Sequence, residues 1–303
     1  MRVGWLGLGA MGAPMAACLA RAGHQVTGYD VAAGRATAAG RDGVHPAASI
    51  GAAVRGADVA AVMVATPGQL ASALFGADGA ARVLPPSAVV LIMATAGPEA
   101  VASAAGQLAS RGIAVVDAPV SGGVARAAGG DLLIMVSGRA SAVARVRPLL
   151  DVLARSAPVV GPQPGDGQRM KLVNQLLCGV HIAAAAEALA FAEALGLSAA
   201  DCWQVLRDGA AASFMFADRG ARMVTGPGGP VRSALDIFVK DMGLVSAAAE
   251  EAGAAVPMAT AARALYQRGH DAGLGGEDDS ALIEVLRARG QPAVGRRPGR
   301  PAR

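Results

Sequence analysis

The pattern of apolar residues changes once along this chain of 303 residues. Up to about Gly161, short apolar runs alternate with alanine-rich stretches of helical length. Several runs are apolar at every position, as expected of parallel strands that are covered on both faces. This alternation predicts an α/β domain built on a doubly wound parallel sheet. The predicted strands are 2–6, 25–29, 58–64, 88–93, 113–116, 132–136 and 158–160.

After a junction rich in proline and glycine, at 161–167, no further strand pattern appears. A long helical pattern covers 168–195, and shorter helical patterns follow it to 289. We therefore expect a doubly wound domain over 1–163 and an all-helical domain over 164–290, entered through the long helix. The last segment, 291–303, is rich in Arg and Pro and lacks apolar residues to bury, so we expect it to be disordered.

Charge and composition exclude several classes of protein. The net charge is +4, but residues 287–303 carry six arginines and no acid, which leaves 27 − 6 = 21 basic against 23 acidic residues elsewhere. A nearly neutral body predicts no nucleic-acid partner.

Three dispersed cysteines predict no metal site and a reducing compartment. The longest uncharged stretch, 59–77, is interrupted by Thr66-Pro67-Gly68-Gln69, and a strand begins directly after Met1. We therefore expect no membrane partner, no signal peptide and a cytoplasmic location.

A glycine-rich motif follows the first predicted strand and opens the first predicted helix. It reads Gly7-Leu8-Gly9-Ala10-Met11-Gly12. Glycines at this spacing permit a tight turn and the approach of a pyrophosphate to the backbone at a helix N-terminus. The motif therefore predicts a Rossmann domain that binds a dinucleotide.

The second predicted strand leads directly to an acidic residue, Asp30. A carboxylate there bonds the adenine ribose hydroxyls and repels a 2′-phosphate, so we expect NAD rather than NADP. Arg35 could soften that preference, and a helix cap or turn residue is the alternative interpretation of Asp30.

Only two lysines, Lys171 and Lys240, occur among 27 basic residues. A desolvated lysine amine can exchange a proton near neutrality, whereas a guanidinium stays charged. A compositional bias explains why lysine is scarce, but it does not explain why both lysines lie in the segments Lys171-Leu172-Val173-Asn174 and Lys240-Asp241-Met242. We therefore predict that Lys171 acts as a general acid and base.

A third motif, Asp117-Ala118-Pro119-Val120-Ser121-Gly122-Gly123, follows a predicted strand at the end where open α/β sheets bind ligands. The hydroxyl of Ser121 and the unobstructed N–H groups of the two glycines suit a carboxylate. An ordinary glycine turn is the alternative interpretation.

With these motifs in this order, the chain resembles the β-hydroxyacid dehydrogenases related to 3-hydroxyisobutyrate dehydrogenase, over about residues 2–288. The resemblance implies NAD-dependent oxidation of the secondary alcohol of a short hydroxy acid, with Lys171 exchanging the hydroxyl proton. It also implies that Asn174 holds the same oxygen and that Ser121, Gly122 and Gly123 bind the substrate carboxylate. Val64, Thr95 and Lys240 would complete the cofactor site, with Thr95 and Lys240 at its nicotinamide half.

Several alternatives stay open. Lys240 could instead pair with Asp236, and His181 is better explained as a core residue. The stretches that begin at Gln175, Ser233 and Glu277 resemble the L-threonate dehydrogenases of the family, although Asn174 stands where that subgroup has a histidine. L-threonate is therefore the expected substrate, with 3-hydroxyisobutyrate, tartronate semialdehyde and succinic semialdehyde as alternatives. The resemblance further implies a homodimer or homotetramer.

Overall fold

The computed structural model describes residues 1–290, with side chains up to Arg287. The predicted disordered tail, 291–303, lies outside the described residues. The chain divides into two compact units, the first of them Met1–Asn174, and the second begins at Gln175. This division falls inside a helix, eleven residues beyond the boundary expected from the proline- and glycine-rich junction (174 − 163 = 11).

The first unit is built on a sheet of eight strands in the order β11-β9-β6-β5-β4-β1-β2-β3. Its pairs are parallel except β6 with β9, where Asp117 lies opposite Ser137. The predicted doubly wound α/β fold is confirmed, with one antiparallel pair that the sequence pattern did not indicate. The strands are β1 Arg2–Leu6, β2 Gln25–Tyr29, β3 His45–Pro46, β4 Val59–Val62, β5 Val89–Ile92, β6 Ala114–Asp117, β7 Val120–Ser121, β8 Leu132–Ile134, β9 Val136–Ser137, β10 Ala154–Ser156 and β11 Val159–Gly161.

A second, three-stranded sheet has the order β10-β8-β7. The predicted strand 132–136 is divided between the two sheets, because β8 belongs to the small sheet and β9 to the large one. Ser121 of β7 lies opposite Leu133 of β8.

Apolar side chains on the two faces of the large sheet form two buried clusters. Successive residues of a strand point to opposite faces, so Trp5 joins one cluster and Leu6 the other. Every residue of β4 and β5 is buried, which explains why these strands read as continuous apolar runs. The helices that belong wholly to this unit are α1 Gly12–Arg21, α2 Ala33–Ala39, α3 Ile50–Val54, α4 Pro67–Phe75, α5 Pro98–Ala109, α6 Gly123–Gly129 and α7 Ala140–Leu153.

Within its described residues the second unit consists of helices and the loops that join them, with one isolated bridge between Ala234 and Asp278. Tyr266 lies in its core, stacks on Phe238 at 5.3 Å, and donates a hydrogen bond to the Gly179 carbonyl at 3.0 Å. The long helix α8, Asp166–Ala194, contributes residues to both units. The remaining helices are α9 Ala199–Leu206, α10 Phe214–Thr225, α11 Leu235–Glu251, α12 Pro257–Gly269 and α13 Glu284–Gly290.

Among the described residues, α8 alone is long and apolar enough to cross a membrane, with a mean hydropathy of 1.5 in its most apolar window. Buried core helices meet the same criterion, and 44% of that window is buried. The helix also carries buried polar side chains, Gln168, Lys171 and Gln175.

Candidate active site

The motifs of the first unit meet at one edge of its large sheet. Strand β1 lies between β4 and β2, so the winding of the chain reverses between β1 and β4. Open α/β sheets bind ligands outside the carboxyl ends of the strands at such a reversal. Of the residues singled out in the sequence, Gly7 directly follows β1, Asp30 directly follows β2, and Asp117 ends β6. Val64 lies two residues after the end of β4, and Thr95 lies three residues after the end of β5.

Two glycines of the Gly7–Gly12 loop are required by the fold. Gly7 has φ +97, and a Cβ atom there would lie 2.2 Å from the Met63 carbonyl oxygen. A Cβ on Gly12 would lie 2.0 Å from the Gly7 carbonyl oxygen, which also accepts a hydrogen bond from the Trp5 indole at 3.0 Å. These contacts bring helix α1 close against strand β1.

Gly9 differs from Gly7 and Gly12 because no close contact among residues 1–290 requires a glycine there. The nearest atom to a Cβ on Gly9 would be a guanidinium nitrogen of Arg35, at 4.0 Å. The loop is therefore open at the position where a pyrophosphate approaches the backbone in a Rossmann domain, and the residues present fit a dinucleotide.

Asp30 is bound to the same loop. Its carboxylate accepts hydrogen bonds from the backbone N–H of Leu8 and of Ala32, both at 2.8 Å. Arg35 lies 3.6 Å from this carboxylate and is more than half exposed. The side chain thus stabilises the local turn, as the alternative interpretation requires, and also lies beside the loop, as a ribose-binding role requires.

The predicted carboxylate-binding residues lie between β7 and α6. Ser121 ends β7, Gly122 precedes α6 and Gly123 is its first residue. All three are half-buried.

Lys171 lies one turn after Gln168 on α8 and is 6% exposed. Asn174 is half-buried and a further turn along the same face. The structure connects this part of α8 to the strand ends through Gln168, which hydrogen-bonds to the backbone at both sides of Thr95. Gln168 is not among the residues predicted from the sequence to form the site. Its signal in the sequence is an amide side chain one turn before Lys171 on the same helix.

Asp117 is fully buried and bonds to the start of α8. Burial raises the pKa of its carboxyl, while the hydrogen bonds from Gln168, Gly165 and Ser137 act in the opposite direction. The motif that contains Asp117 is visible in the sequence, whereas these partners lie 20 to 51 positions further along the chain.

Lys240 belongs to α11 of the second unit. Its ammonium nitrogen lies 2.8 Å from a carboxylate oxygen of Asp241, which is buried and also accepts a hydrogen bond from Gln175. Asp236, the alternative partner considered from the sequence, is engaged with His270 at 2.7 Å. His181 is half-buried on α8.

Two other features of the described residues bear on the kind of site. No group of three or more His, Cys, Asp or Glu side chains in them is placed to hold a metal ion. A surface cavity of about 440 Å³ lies in the second unit between the segments 222–232 and 273–284, and none of the predicted site residues lines it.

Known proteins match almost the whole chain. A family model for the NAD-binding domain of 6-phosphogluconate dehydrogenase matches residues 2–161. A model described as NAD-binding of NADP-dependent 3-hydroxyisobutyrate dehydrogenase matches residues 165–286. L-threonate dehydrogenase from Cupriavidus necator is 38% identical, over 94% of this chain and 95% of its own. L-threonate dehydrogenase from Escherichia coli K12 is 37% identical, over 94% of each.

Solved structures give the same result. The crystal structure of a 3-hydroxyisobutyrate dehydrogenase from Salmonella typhimurium superposes with a TM-score of 0.88 and 36% identity, and covers 93% of this chain and 99% of its own. The resemblance drawn from the glycine loop and the Asp117 and Lys171 motifs is thereby confirmed. A domain that binds NAD, joined to a helical domain of this type, places the chain in the 3-hydroxyisobutyrate dehydrogenase family, whose members are NAD(P)-dependent oxidoreductases acting on hydroxy acids.

Proposed function

We propose that this protein oxidises the secondary alcohol of a short polyhydroxy acid, with L-threonate converted to 2-oxo-tetronate and NAD as the hydride acceptor. The observation that carries the proposal is a buried lysine, Lys171, on a helix bonded to the strand end that holds Thr95. Burial disfavours the charged form of an amine, which suits a group that must gain and lose a proton near neutrality.

The residues of this chain have distinct roles in the proposed reaction. Lys171, as a neutral amine, takes the proton of the C2 hydroxyl while bound NAD accepts the hydride from C2. Asn174 donates a hydrogen bond to the same oxygen from one turn further along α8. Ser121 and the backbone N–H groups of Gly122 and Gly123 hold the substrate carboxylate. In the reverse direction, Lys171 as an ammonium returns the proton.

The cofactor preference rests on one side chain. The carboxylate of Asp30 lies beside the glycine loop, where it repels the 2′-phosphate of NADP and accepts from the ribose hydroxyls of NAD. Arg35 acts in the opposite direction, because its guanidinium attracts a phosphate. We therefore expect the ratio of kcat/KM to favour NAD, with some activity on NADP.

Oligomeric state and location belong to the same proposal. Large apolar side chains are exposed on the second unit, among them Phe191, Leu195 and Val205. Exposed apolar groups of this size support pairing between subunits. We expect a cytoplasmic homodimer or homotetramer, without a nucleic-acid or membrane partner, and light scattering of the full chain measures the number of subunits.

A substrate panel tests the proposed reaction. Initial rates are measured with NAD and with NADP on L-threonate and 3-hydroxyisobutyrate. Tartronate semialdehyde and succinic semialdehyde are assayed in the direction of reduction, with NADH and with NADPH. We expect L-threonate with NAD to give the highest kcat/KM. A higher value for another member of the panel would reassign the substrate within the family.

Two substitutions of one residue test the proton transfer. Lys171→Met removes the amine, and we expect kcat to fall by about 10² to 10⁴-fold with NAD affinity unchanged. Lys171→Arg keeps a positive charge that cannot deprotonate at working pH, so it should be equally inactive. Activity in Lys171→Arg close to that of the wild type would mean that the site needs only a charge.

A further inference from the structure

One buried amide uses all of its hydrogen-bonding capacity at the start of α8. Gln168 is 1% exposed. Its side-chain oxygen accepts from the backbone N–H of Ala96 and of Gly97, at 2.9 and 3.1 Å. Its side-chain nitrogen donates to the Ala94 carbonyl at 3.0 Å and to an Asp117 carboxylate oxygen at 2.7 Å. These four hydrogen bonds can form together in only one orientation of the amide group, so the Gln168 side chain has a single allowed position.

The second oxygen of Asp117 receives the N–H groups at the beginning of the helix. It accepts from the backbone of Gly165 and of Gln168, both at 3.0 Å, and from the hydroxyl of Ser137 at 3.2 Å. The Ser137 hydroxyl in turn accepts from the Gly167 backbone at 2.8 Å. Asp117, the last residue of strand β6, therefore caps the N-terminus of α8. Its charge lies where a helix N-terminus favours an anion.

The helix approaches Asp117 closely only because position 167 is a glycine. A Cβ on Gly167 would lie 2.6 Å from the Met135 carbonyl oxygen and 2.8 Å from the carboxylate of Asp117. A larger residue would push the first turn of α8 away from the sheet.

The hydrogen bonds of Gln168 determine the position of Lys171 relative to Thr95. Thr95 lies between Ala94 and Ala96, the residues whose backbone Gln168 holds. Lys171 lies one turn further on the same rigid helix, a rise of about 4.5 Å from Gln168. A shift at Gln168 is therefore transmitted to the amine of Lys171 without being absorbed by a loop.

We propose that Gln168 and Asp117 are positioning residues that hold the proton acceptor Lys171 in register with the nicotinamide-binding segment around Thr95. This inference rests on the proposed function, since it assumes that Lys171 and Thr95 serve the same reaction. Hydride and proton leave neighbouring atoms of the substrate, so their two acceptors must be aligned together. A displacement of about 1 Å is enough to cost about 10²-fold in rate.

The test compares Gln168→Met with a matched change of a helix cap elsewhere in the same unit. Methionine has the length of glutamine but makes none of the four hydrogen bonds. We expect kcat to fall about 10²-fold while the KM for the hydroxy acid and the Kd for NAD change less than about three-fold. The control Ser49→Ala removes the cap of α3, where the Ser49 hydroxyl accepts from Ala52 at 3.1 Å, and should keep the kcat of the wild type.

A third variant gives a readout that a purely structural role would not move. In Gln168→Glu, the introduced carboxyl must be protonated to donate to Asp117 or to Ala94. We therefore expect its kcat, relative to that of the wild type at the same pH, to rise as the pH falls.

Ser137→Ala removes one of the three donors to the second Asp117 oxygen and replaces Gln168→Met if that variant does not fold. We expect its kcat to fall by about ten-fold, again without a change in NAD affinity.

The outcomes separate this inference from the proposed function. Folded Gln168→Met with a kcat within about three-fold of the wild type would overturn the positioning role, provided that Lys171→Met is inactive in the same assay. An active Lys171→Met would instead overturn the proposed proton transfer. A kcat in Ser49→Ala that falls as far as in Gln168→Met would also overturn the inference, because the loss would then follow helix stability rather than alignment.

Discussion

The two units each contain a fully buried carboxylate, and the two are satisfied in different ways. Asp117 in the first unit and Asp279 in the second are both 0% exposed. Asp117 accepts from neutral donors, namely backbone N–H groups, an amide and a hydroxyl. Asp279 faces the guanidinium groups of Arg219 at 3.0 Å and Arg222 at 3.4 Å.

The two carboxylates have different effects on the structure because Asp117 binds backbone groups, whereas Asp279 binds arginine side chains. A backbone N–H cannot move unless its helix moves, so Asp117 determines the position of the first turn of α8. An arginine side chain has several rotatable bonds and can follow its partner, so Asp279 connects helices without determining where they lie to a fraction of an ångström. Precise placement is associated with the neutral donors around Asp117, whereas the arginine pairs of the buried Asp279 lie in the helical unit.

Removing Arg219, one of the two guanidinium partners of Asp279, should have the largest effect on stability. Arg219→Met leaves the buried carboxylate with fewer compensating groups, and we expect a loss of about 3–5 kcal/mol in the free energy of unfolding. Urea unfolding followed by circular dichroism measures it. The control Arg2→Met breaks an exposed pair with Asp58, 3.1 Å apart, and should cost no more than about 1 kcal/mol. Equal losses in the two variants would show that burial does not distinguish these pairs.

Removing the charge of Asp117 should cost less, because its hydrogen-bond donors in the described part of the chain are all neutral. Asp117→Asn keeps the shape but turns an amide NH₂ towards groups that are themselves donors. We expect a loss of about 1–3 kcal/mol in the free energy of unfolding. The exposed control Asp151→Asn should change stability by less than about 0.5 kcal/mol. A larger loss in Asp117→Asn than in Arg219→Met would reverse the comparison between the two carboxylates.

Much of the fold was predictable because the pattern of apolar residues is regular. Strands β1 and β2 have the bounds that the pattern predicted, since each buries apolar side chains. Strands β3, β7 and β10 have two or three residues each, too few to show a period. Their pairing depends on partners elsewhere in the chain, as does the division of 132–136 between two sheets.

The candidate site divides in the same way between local and distant signals. The glycine loop and Lys171 were found because residue type and spacing are enough to indicate their chemistry. Gln168 bonds to Ala96 and Asp117, which are 72 and 51 positions away in sequence, so no local pattern could connect them. The roles of Lys171, Ser121 and Asn174 remain predictions that the kinetic experiments test.

The stability conferred by Asp117 should depend on pH in a direction that its burial determines. Its pKa is raised in the folded state, so the unfolded chain ionises first as the pH rises above about 3.9. The contribution is therefore complete below that pH and is lost as the pH rises through the folded-state pKa. We expect the advantage of the wild type over Asp117→Asn to narrow as the pH rises above about 4, measured as the difference in urea midpoints. An advantage that widens over this range would mean that the hydrogen bonds outweigh burial and lower the pKa.

The smallest effect on stability should come from the exposed pair of His270 and Asp236 in the second unit, because water solvates either group when its partner is removed. The Nδ1 atom of His270 lies 2.7 Å from Asp236, and this hydrogen bond and the charge of Asp236 raise the pKa of the histidine. The pair therefore stabilises the fold below about pH 6.5, and this contribution is lost as the pH rises through the raised pKa. Asp236→Asn should lower the pKa of His270 in an NMR titration and leave that of His24, lowered chiefly by burial, where it is. If His270 titrated at the same pH in both proteins, Asp236 would not be the cause of its raised pKa.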